Sequence, residues 1–356
     1  MPVFNGYHYE PLSAGDEIRL IELNPARREE APLKCSIIQR RLSVQKESYF
    51  AISYVWGEPE FSRNLEIRDD GDVSYLRITP NVDALLRRLR KLKVLRYLWI
   101  DAICLNQADE IEKAHQIPVM GRIFGEAKEV HIWLGPEDLL TAKLFTFFRQ
   151  VSLLPNVDKQ WDMAGCVVKV MLSVFGDTNT ALECFCNFSE RAWFSRRWTI
   201  QEAQLAQKAT VHCGNCSIPL PVLTSAARRF QVLDMSSYPM KVMAKLNTPP
   251  GKLTILELLW TFQEARCLEP KDRVAALFSL AQHNYRFHLD YTVHWTEMYR
   301  QIALSVLRNG GNDIKLQLIL HLFEFGLSAS LLISTIHHGF PTGQRLDDEI
   351  SLTTLP

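Results

Sequence analysis

Between positions 99 and 135 the chain reads WIDAICLNQADEIEKAHQIPVMGRIFGEAKEVHIWLG, a stretch that few folds can accommodate. Residues 97–103 are a short, almost wholly apolar run, as expected of a strand buried on both faces. Residues 105–109 form a polar turn. Ile111, Ala114, Ile117, Met120, Ile123 or Phe124, and Ala127 then recur at helical spacing. Residues 130–134 form a second apolar strand, stopped by Gly135-Pro136. Parallel strands joined through a helix make a right-handed unit of an α/β sheet, and such sheets take ligands beyond the carboxyl ends of their strands. Asp101, Asn106 and Gln107 fall at or near that rim.

The flanking segments extend the same pattern. Residues 18–23 alternate as an edge strand would, and 33–42 are a second strand candidate. Residues 49–56, YFAISYVW, are the first core strand, closed by Gly57. Residues 61–76 read as a surface hairpin about Asp69-Asp70-Gly71-Asp72. Thr79 caps and Pro80 opens a helix whose apolar face is Val82, Leu85, Leu86, Leu89 and Leu92. Beyond Pro136 the pattern turns helical over 139–154, 167–175 and 181–188. Residues 193–202 lead a helix to about Gln207, and 210–213 are another strand. From Pro219 helices dominate, clearest at 253–266, 273–281 and 296–308, with Gly310-Gly311 as a stop. The expected architecture is an α/β domain over 17–216, with a helical insertion at about 138–190. A mainly α-helical region over 217–356 is expected to pack on it.

Charge narrows the function classes. Lys plus Arg (40) equals Asp plus Glu (40), which leaves no electrostatic footprint for nucleic acid or an anionic membrane. Arg87, Arg88, Arg90, Lys91 and Lys93 read as the solvated side of a helix. Asn5, His8, Glu10 and Asp16 stand where a signal peptide needs an apolar run, and the eight cysteines then point to reduced thiols and a cytoplasmic location. Residues 316–336 are apolar, but Gln317, His321 and Glu324 favour a buried helix over a membrane span. Cys213-Gly214-Asn215-Cys216 has redox or zinc spacing, yet Pro219 and Pro221 interrupt the helix a redox motif would open. Cys184 and Cys186 are too close together to supply the other half of a zinc site, so no metal is expected. There is no phosphate-cradling glycine loop and no nucleophile elbow.

YFAISYVWG at 49–57, WIDAICLNQ at 99–107, the spaced Gln116, Met120 and Ala127, VHIWLG at 130–135, WFSRRWTIQEAQLA at 193–206 and the strand ending at Cys213-Gly214 share an order and spacing. In both, the chain resembles the fungal HET (heterokaryon incompatibility) domain. ARCLEPKDRVAALFSLA and LDYTVHWTEMYRQIA look like the helical region that trails such domains, so the resemblance covers about residues 17–310. Phe124 stands where Tyr is usual, and the chain ends early for this family.

The resemblance implies a role in fungal non-self recognition, in which the domain triggers cell death, with self-association or an incompatibility partner protein as its protein contacts. HET domains are in turn similar to the TIR domain, so the implied fold is a TIR-like (flavodoxin-like) parallel sheet. Catalytic TIR members cleave NAD with a Glu on the helix after the third strand, in a Trp-containing segment. Glu202 in RRWTIQEA is the matching position. NAD would then be the substrate, and no cofactor is required. Cleavage of the nicotinamide–ribose bond builds oxocarbenium-like charge, which one carboxylate in a water-poor cleft can stabilise. Ser53, Tyr54, Trp56 and Gly57 would floor the pocket, with Trp56 stacking on a ring and Gly57 allowing close backbone approach. Asp101 and Asn106 would line its rim.

The residues alone leave plainer readings open. Glu202 can pair with Arg196 or Arg197, Asp101 can cap its turn, and Asn106-Gln107 can bond to nearby backbone. Trp99, Trp133, Trp193 and Trp198 are core residues by default. A non-catalytic module that signals by assembly also stays open.

Overall fold

A computed structural model describes residues 6–13, 15–44, 48–69, 71–155, 160–233, 238–246, 249–282 and 289–308. The apolar run at 316–336 and the Gly310-Gly311 stop lie outside the described residues. The chain divides into two compact units, Met1–Gln282 and His283–Pro356.

The first unit begins with β1 (Glu17–Leu23), β2 (Lys34–Arg41) and β3 (Phe50–Tyr54). β4 (Arg63–Asp69) and β5 (Asp72–Ile78) form the expected hairpin, turned through Gly71 at φ 97°. α1 (Pro80–Leu89) starts where Thr79 Oγ1 accepts the Val82 N–H. Val82, Leu85, Leu86 and Leu89 are buried, whereas Leu92 lies past the helix end and is 67% exposed. β6 (Arg96–Trp99), α2 (Asp101–Cys104), α3 (Glu110–Gln116), α4 (Met120–Glu126) and β7 (Glu129–Trp133) make up the central stretch. α5 (Thr141–Ser152), α6 (Gln160–Phe175), α7 (Thr178–Ser189) and α8 (Trp198–Gln204) separate β7 from the hairpin of β8 (Ala209–Cys213) and β9 (Cys216–Pro219). α9 (Leu220–Phe230), α10 (Tyr238–Lys245), α11 (Ile255–Thr261) and α12 (Asp272–Phe278) complete the unit. The second unit contains α13 (Trp295–Arg308).

The nine strands of the described residues join one sheet in the order β5-β4-β2-β1-β6-β3-β7-β8-β9. β6, β3, β7 and β8 run parallel, while β1 pairs antiparallel with both β2 and β6 and β9 pairs antiparallel with β8. The sheet is therefore mixed, not parallel throughout. Numbered by chain order, its parallel strands stand 2-1-3-4. β6 and β7 are not neighbours, because β3 lies between them and hydrogen-bonds to both. β1 is an interior strand, not an edge: its residues are mostly buried because partners lie on both sides.

Three readings of the central stretch need correction. The strand expected at 97–103 ends at Trp99. The apolar run continues because a helical turn, α2, buries Ile103 and Cys104 just as a strand would. The single helix expected after it is two, separated by a turn at Ile117–Val119 containing Pro118, whose ring nitrogen has no hydrogen to donate. Ile111 is 71% exposed, and the buried positions of α3 are Glu112 and Gln116. An ion pair to Arg19 draws Glu112 inward against the apolar pattern.

α5, α7 and α9 enclose an aromatic cluster. Phe185 stacks on Phe230 at 4.3 Å, and Phe148 and Phe188 are 5.5 Å apart. Each such ring contributes roughly 1.5–3 kcal/mol on burial. The cluster continues through Phe188–Phe194 at 5.3 Å to Phe194–Trp193 at 5.2 Å, which backs the sheet beside β3 with a stiff wall. Among the described residues no helix is long and apolar enough to cross a membrane. Nor do any three His, Cys, Asp or Glu side chains among them form a metal-binding group. Cys213 and Cys216 face each other across the β8–β9 hairpin.

Candidate active site

Side chains alternate along β3, so Ala51 and Ser53 face one side of the sheet and Phe50, Ile52 and Tyr54 the other. α8 packs on the Ser53 side. Its approach is fixed by its lead-in: Thr199 Oγ1 donates to the carbonyls of Trp193 and Arg196, and the Arg197 N–H donates to the Arg266 carbonyl at 2.8 Å. The Arg197 guanidinium is buried and donates to the carbonyls of Phe262, Gln263, Ala265 and Arg273. The ARCLEPKDRV segment is thereby tied to the start of α8.

This framing sets Glu202 over the end of β3. Its Oε2 accepts the Ser53 hydroxyl at 2.5 Å, and Ser53 Oγ accepts the Trp193 indole N–H at 2.8 Å. Glu202 is 5% exposed and Ser53 is fully buried. Burial raises the Glu202 carboxyl to about 7, against the opposing pull of the Arg196 charge and the Ser53 hydrogen bond; the Asp101 charge adds to the rise.

Asp101, in the first turn of α2, stands in the same electrostatic neighbourhood. Its Oδ2 accepts the Trp56 indole N–H at 2.8 Å and its Oδ1 the Ala102 N–H at 2.7 Å. Burial raises this carboxyl too, and Arg196 again opposes the shift. Arg196 donates to the Tyr54 carbonyl at 3.1 Å, which holds its cation where it acts on both carboxylates. Burial raises the Tyr54 hydroxyl well above the usual phenol value, and the neighbouring Asp101 charge adds to the rise. Trp56 is 37% exposed with its indole nitrogen fixed by Asp101, which leaves ring surface open. Gly57, next in the chain, sits at φ 73°, a left-handed conformation suited to glycine.

The fold thus brings together Ser53, Tyr54, Asp101 and Glu202, with Trp56 bonded to Asp101. Asn106 is engaged elsewhere. Its Oδ1 accepts the Ala108 N–H, its carbonyl the Asp109 N–H, and its own N–H goes to Glu112. The Asp101 side chain also bonds its own backbone through the Ala102 N–H, and Gln107 holds the turn by donating its side-chain amide to the Asp101 carbonyl at 2.9 Å. Arg196 and Trp193 belong to the site, although the sequence presented them as an ion-pair option and a core residue. The tandem Arg196-Arg197 was the signal for a cation here, but only the fold separates the two roles.

Residues 49–202 match the family model described as heterokaryon incompatibility protein (HET). Over that span the chain is similar to the HET domain. It is also similar to heterokaryon incompatibility protein 6, OR allele, of Neurospora crassa, at 31% identity over 242 residues. That alignment covers 59% of this chain and 35% of the relative, so the chain spans about a third of the length of the curated relative it matches. No solved structure matches this chain. The matched span ends at Glu202 and contains Ser53 and Asp101.

Proposed function

We propose that this HET-like domain acts in fungal non-self recognition as a cell-death effector, and that it does so by hydrolysing NAD. The observation that carries the reading is the pairing of Glu202 with Ser53 beside Asp101 and Arg196, at the carboxyl end of β3. The 2-1-3-4 order of the parallel strands is that of flavodoxin-like sheets, which supports the TIR likeness; such sheets bind ligands at that end.

The chemistry asks for little. Nicotinamide leaves with the electron pair of the bond to ribose and departs neutral, so no acid is needed to protonate it. Positive charge grows on the ribose ring, and ionised Glu202 stabilises it by its own charge and through hydrogen bonds to the ribose hydroxyls. Water then forms the new C–O bond and gives up a proton. The Trp56 face offers stacking for a flat heteroaromatic ring, and Gly57 admits close approach of the chain to it.

The test is NAD loss by the purified full chain, alone and with self-association enforced through a fused oligomeric tag. Glu202→Gln should reduce turnover at least 100-fold while the variant still folds and unfolds in one cooperative thermal transition. The burial of Glu202 favours a second reading, in which the carboxylate is structural and the domain signals by assembling with copies of itself or a partner. Absence of NAD loss in the oligomerised protein, with cell killing retained by Glu202→Gln, would select that reading.

A further inference from the structure

Ser53 has no surface to offer a ligand: it is fully buried, and its hydroxyl lies between two protein groups. An indole nitrogen only donates, so the bond from Trp193 Nε1 makes Ser53 Oγ an acceptor. The serine's own proton then needs another partner, and the group within reach is Glu202 Oε2. The direction of the chain follows: Trp193 N–H to Ser53 O–H to Glu202. A proton on Oε2 would reverse the last bond and strand the serine hydrogen inside the protein, at the cost of an unsatisfied buried donor. Trp193 cannot turn away to relieve this. Its ring is buried edge-on to Phe194, and its carbonyl accepts from Thr199.

We propose that Ser53 is a positioning residue for Glu202: anchored by Trp193, its hydroxyl holds the carboxylate in one orientation and in its ionised form. The catalytic meaning of this relay rests on the hydrolase reading, while the relay itself is a property of the resting protein. It offsets part of the rise that burial imposes on a carboxylate inside an aromatic-walled site, so that Glu202 still ionises near neutral pH. The Ser53 bond is one of the two influences that favour its ionised form, with Arg196 the other. Ser53 is then no part of a pocket floor. It stands behind the reactive group, and the groups left to meet substrate are Glu202, Asp101 and Trp56.

The experiment reads the Glu202 titration directly, in the full chain and without NAD, by carboxyl-carbon NMR with the signal assigned by its loss in Glu202→Gln. Ser53→Ala should raise the Glu202 midpoint by about one to two pH units, the equivalent of a lost hydrogen bond to a charged group. Ser53→Thr keeps the hydroxyl and should restore the midpoint. Trp193→Phe frees the Ser53 hydroxyl to rotate and should raise the midpoint by a smaller amount. A folded Ser53→Ala protein whose Glu202 titrates as in the parent overturns the proposal; if that variant does not fold, an unchanged midpoint in Trp193→Phe has the same force. Because no substrate is present, a relay found in a protein that never consumes NAD leaves this inference standing and removes only the hydrolase reading.

Discussion

Arg19 and Glu112 lie 93 positions apart and meet in a two-pronged ion pair, with N–O distances of 2.6 and 2.8 Å. Both side chains are almost wholly buried, at 1% and 8% exposure. Arg19 also donates to the Cys104 carbonyl and stacks over Tyr9, while Glu112 accepts the Asn106 N–H. One pair therefore ties β1 to the end of α2 and the start of α3. Removing a single partner leaves a bare charge in the interior. Glu112→Ala should cost about 3–5 kcal/mol in urea unfolding, and Arg19→Met with Glu112→Leu should recover most of it. A Glu112→Ala protein within about 1 kcal/mol of the parent would show that the pair does not organise this corner.

Glu202 links stability to pH. Its carboxyl is raised from 4.5 to about 7 in the fold, so the native state holds a proton that the unfolded chain releases first. The resulting slope is negative: stability falls as pH rises from about 4.5 to 7, by on the order of 3 kcal/mol, and is level above that range. Glu202→Gln removes this penalty. The variant should gain stability relative to the parent at pH 8 and lose that gain at pH 4, read as the difference between their urea midpoints. If NAD is cleaved, turnover should decline below about pH 7 as Glu202 takes up its proton.

His131 and His212 have the opposite sign. Their rings meet at 3.0 Å, with Phe50 stacked on His131 and Arg96 3.3 Å from its far nitrogen. Burial is the main force lowering His131 to about 3 and His212 to about 4. The charges of Arg96 and Lys91 press both the same way, as does Arg88 on His212, while Glu129 opposes them. The fold keeps both rings neutral, whereas the unfolded chain protonates them below pH 6.5. Stability should be level above 6.5 and fall below it, by on the order of 2 kcal/mol per imidazole at pH 5. His131→Phe with His212→Leu should remove this loss between pH 7 and pH 5 and leave the opposite trend set by Glu202, a urea midpoint that rises on acidification. An unaltered pH response would show that the pair is not the source.

Gly121 marks a close approach. A Cβ at this position of α4 would stand 2.3 Å from Ser279 Oγ and 2.5 Å from Ser279 Cβ, just past α12. Gly121→Ala should therefore cost about 1–3 kcal/mol despite improving helix propensity, seen as a lower melting temperature. Ser279→Gly in the same chain should return part of the loss. A more stable Gly121→Ala protein would mean that α12 is free to move aside.

Much of this was legible in the residues. The strand expected at 49–56, observed over Phe50–Tyr54, the Thr79-Pro80 helix start and the Gly71 turn follow from local chemistry. The family match brings Ser53, Asp101 and Glu202 into one domain, and the fold sets them at one end of β3. The failures have a common source. Ile111 looks like a core residue by spacing, yet it is Glu112 that turns inward, because a cation on a distant strand waits there. Arg196 and Arg197 are neighbours of one type, but Arg197 is surrounded by carbonyls from residues 262–273 while Arg196 faces the two carboxylates. Periodicity reports which residues avoid water on average and contains nothing about a partner far along the chain.

By itself the sequence determined most of the strands and helices, the α/β class and the likeness of residues 49–202 to the HET model, since these depend on near-neighbour preferences and a recurrent spacing. Only the tertiary structure decided that the sheet is mixed, that β3 lies between the strands of the central unit, and that Trp193, Ser53 and Glu202 form one chain of hydrogen bonds. The physical reason is distance. Ser53 and Glu202 are 149 residues apart, and whether their oxygens touch depends on packing angles that no local propensity encodes.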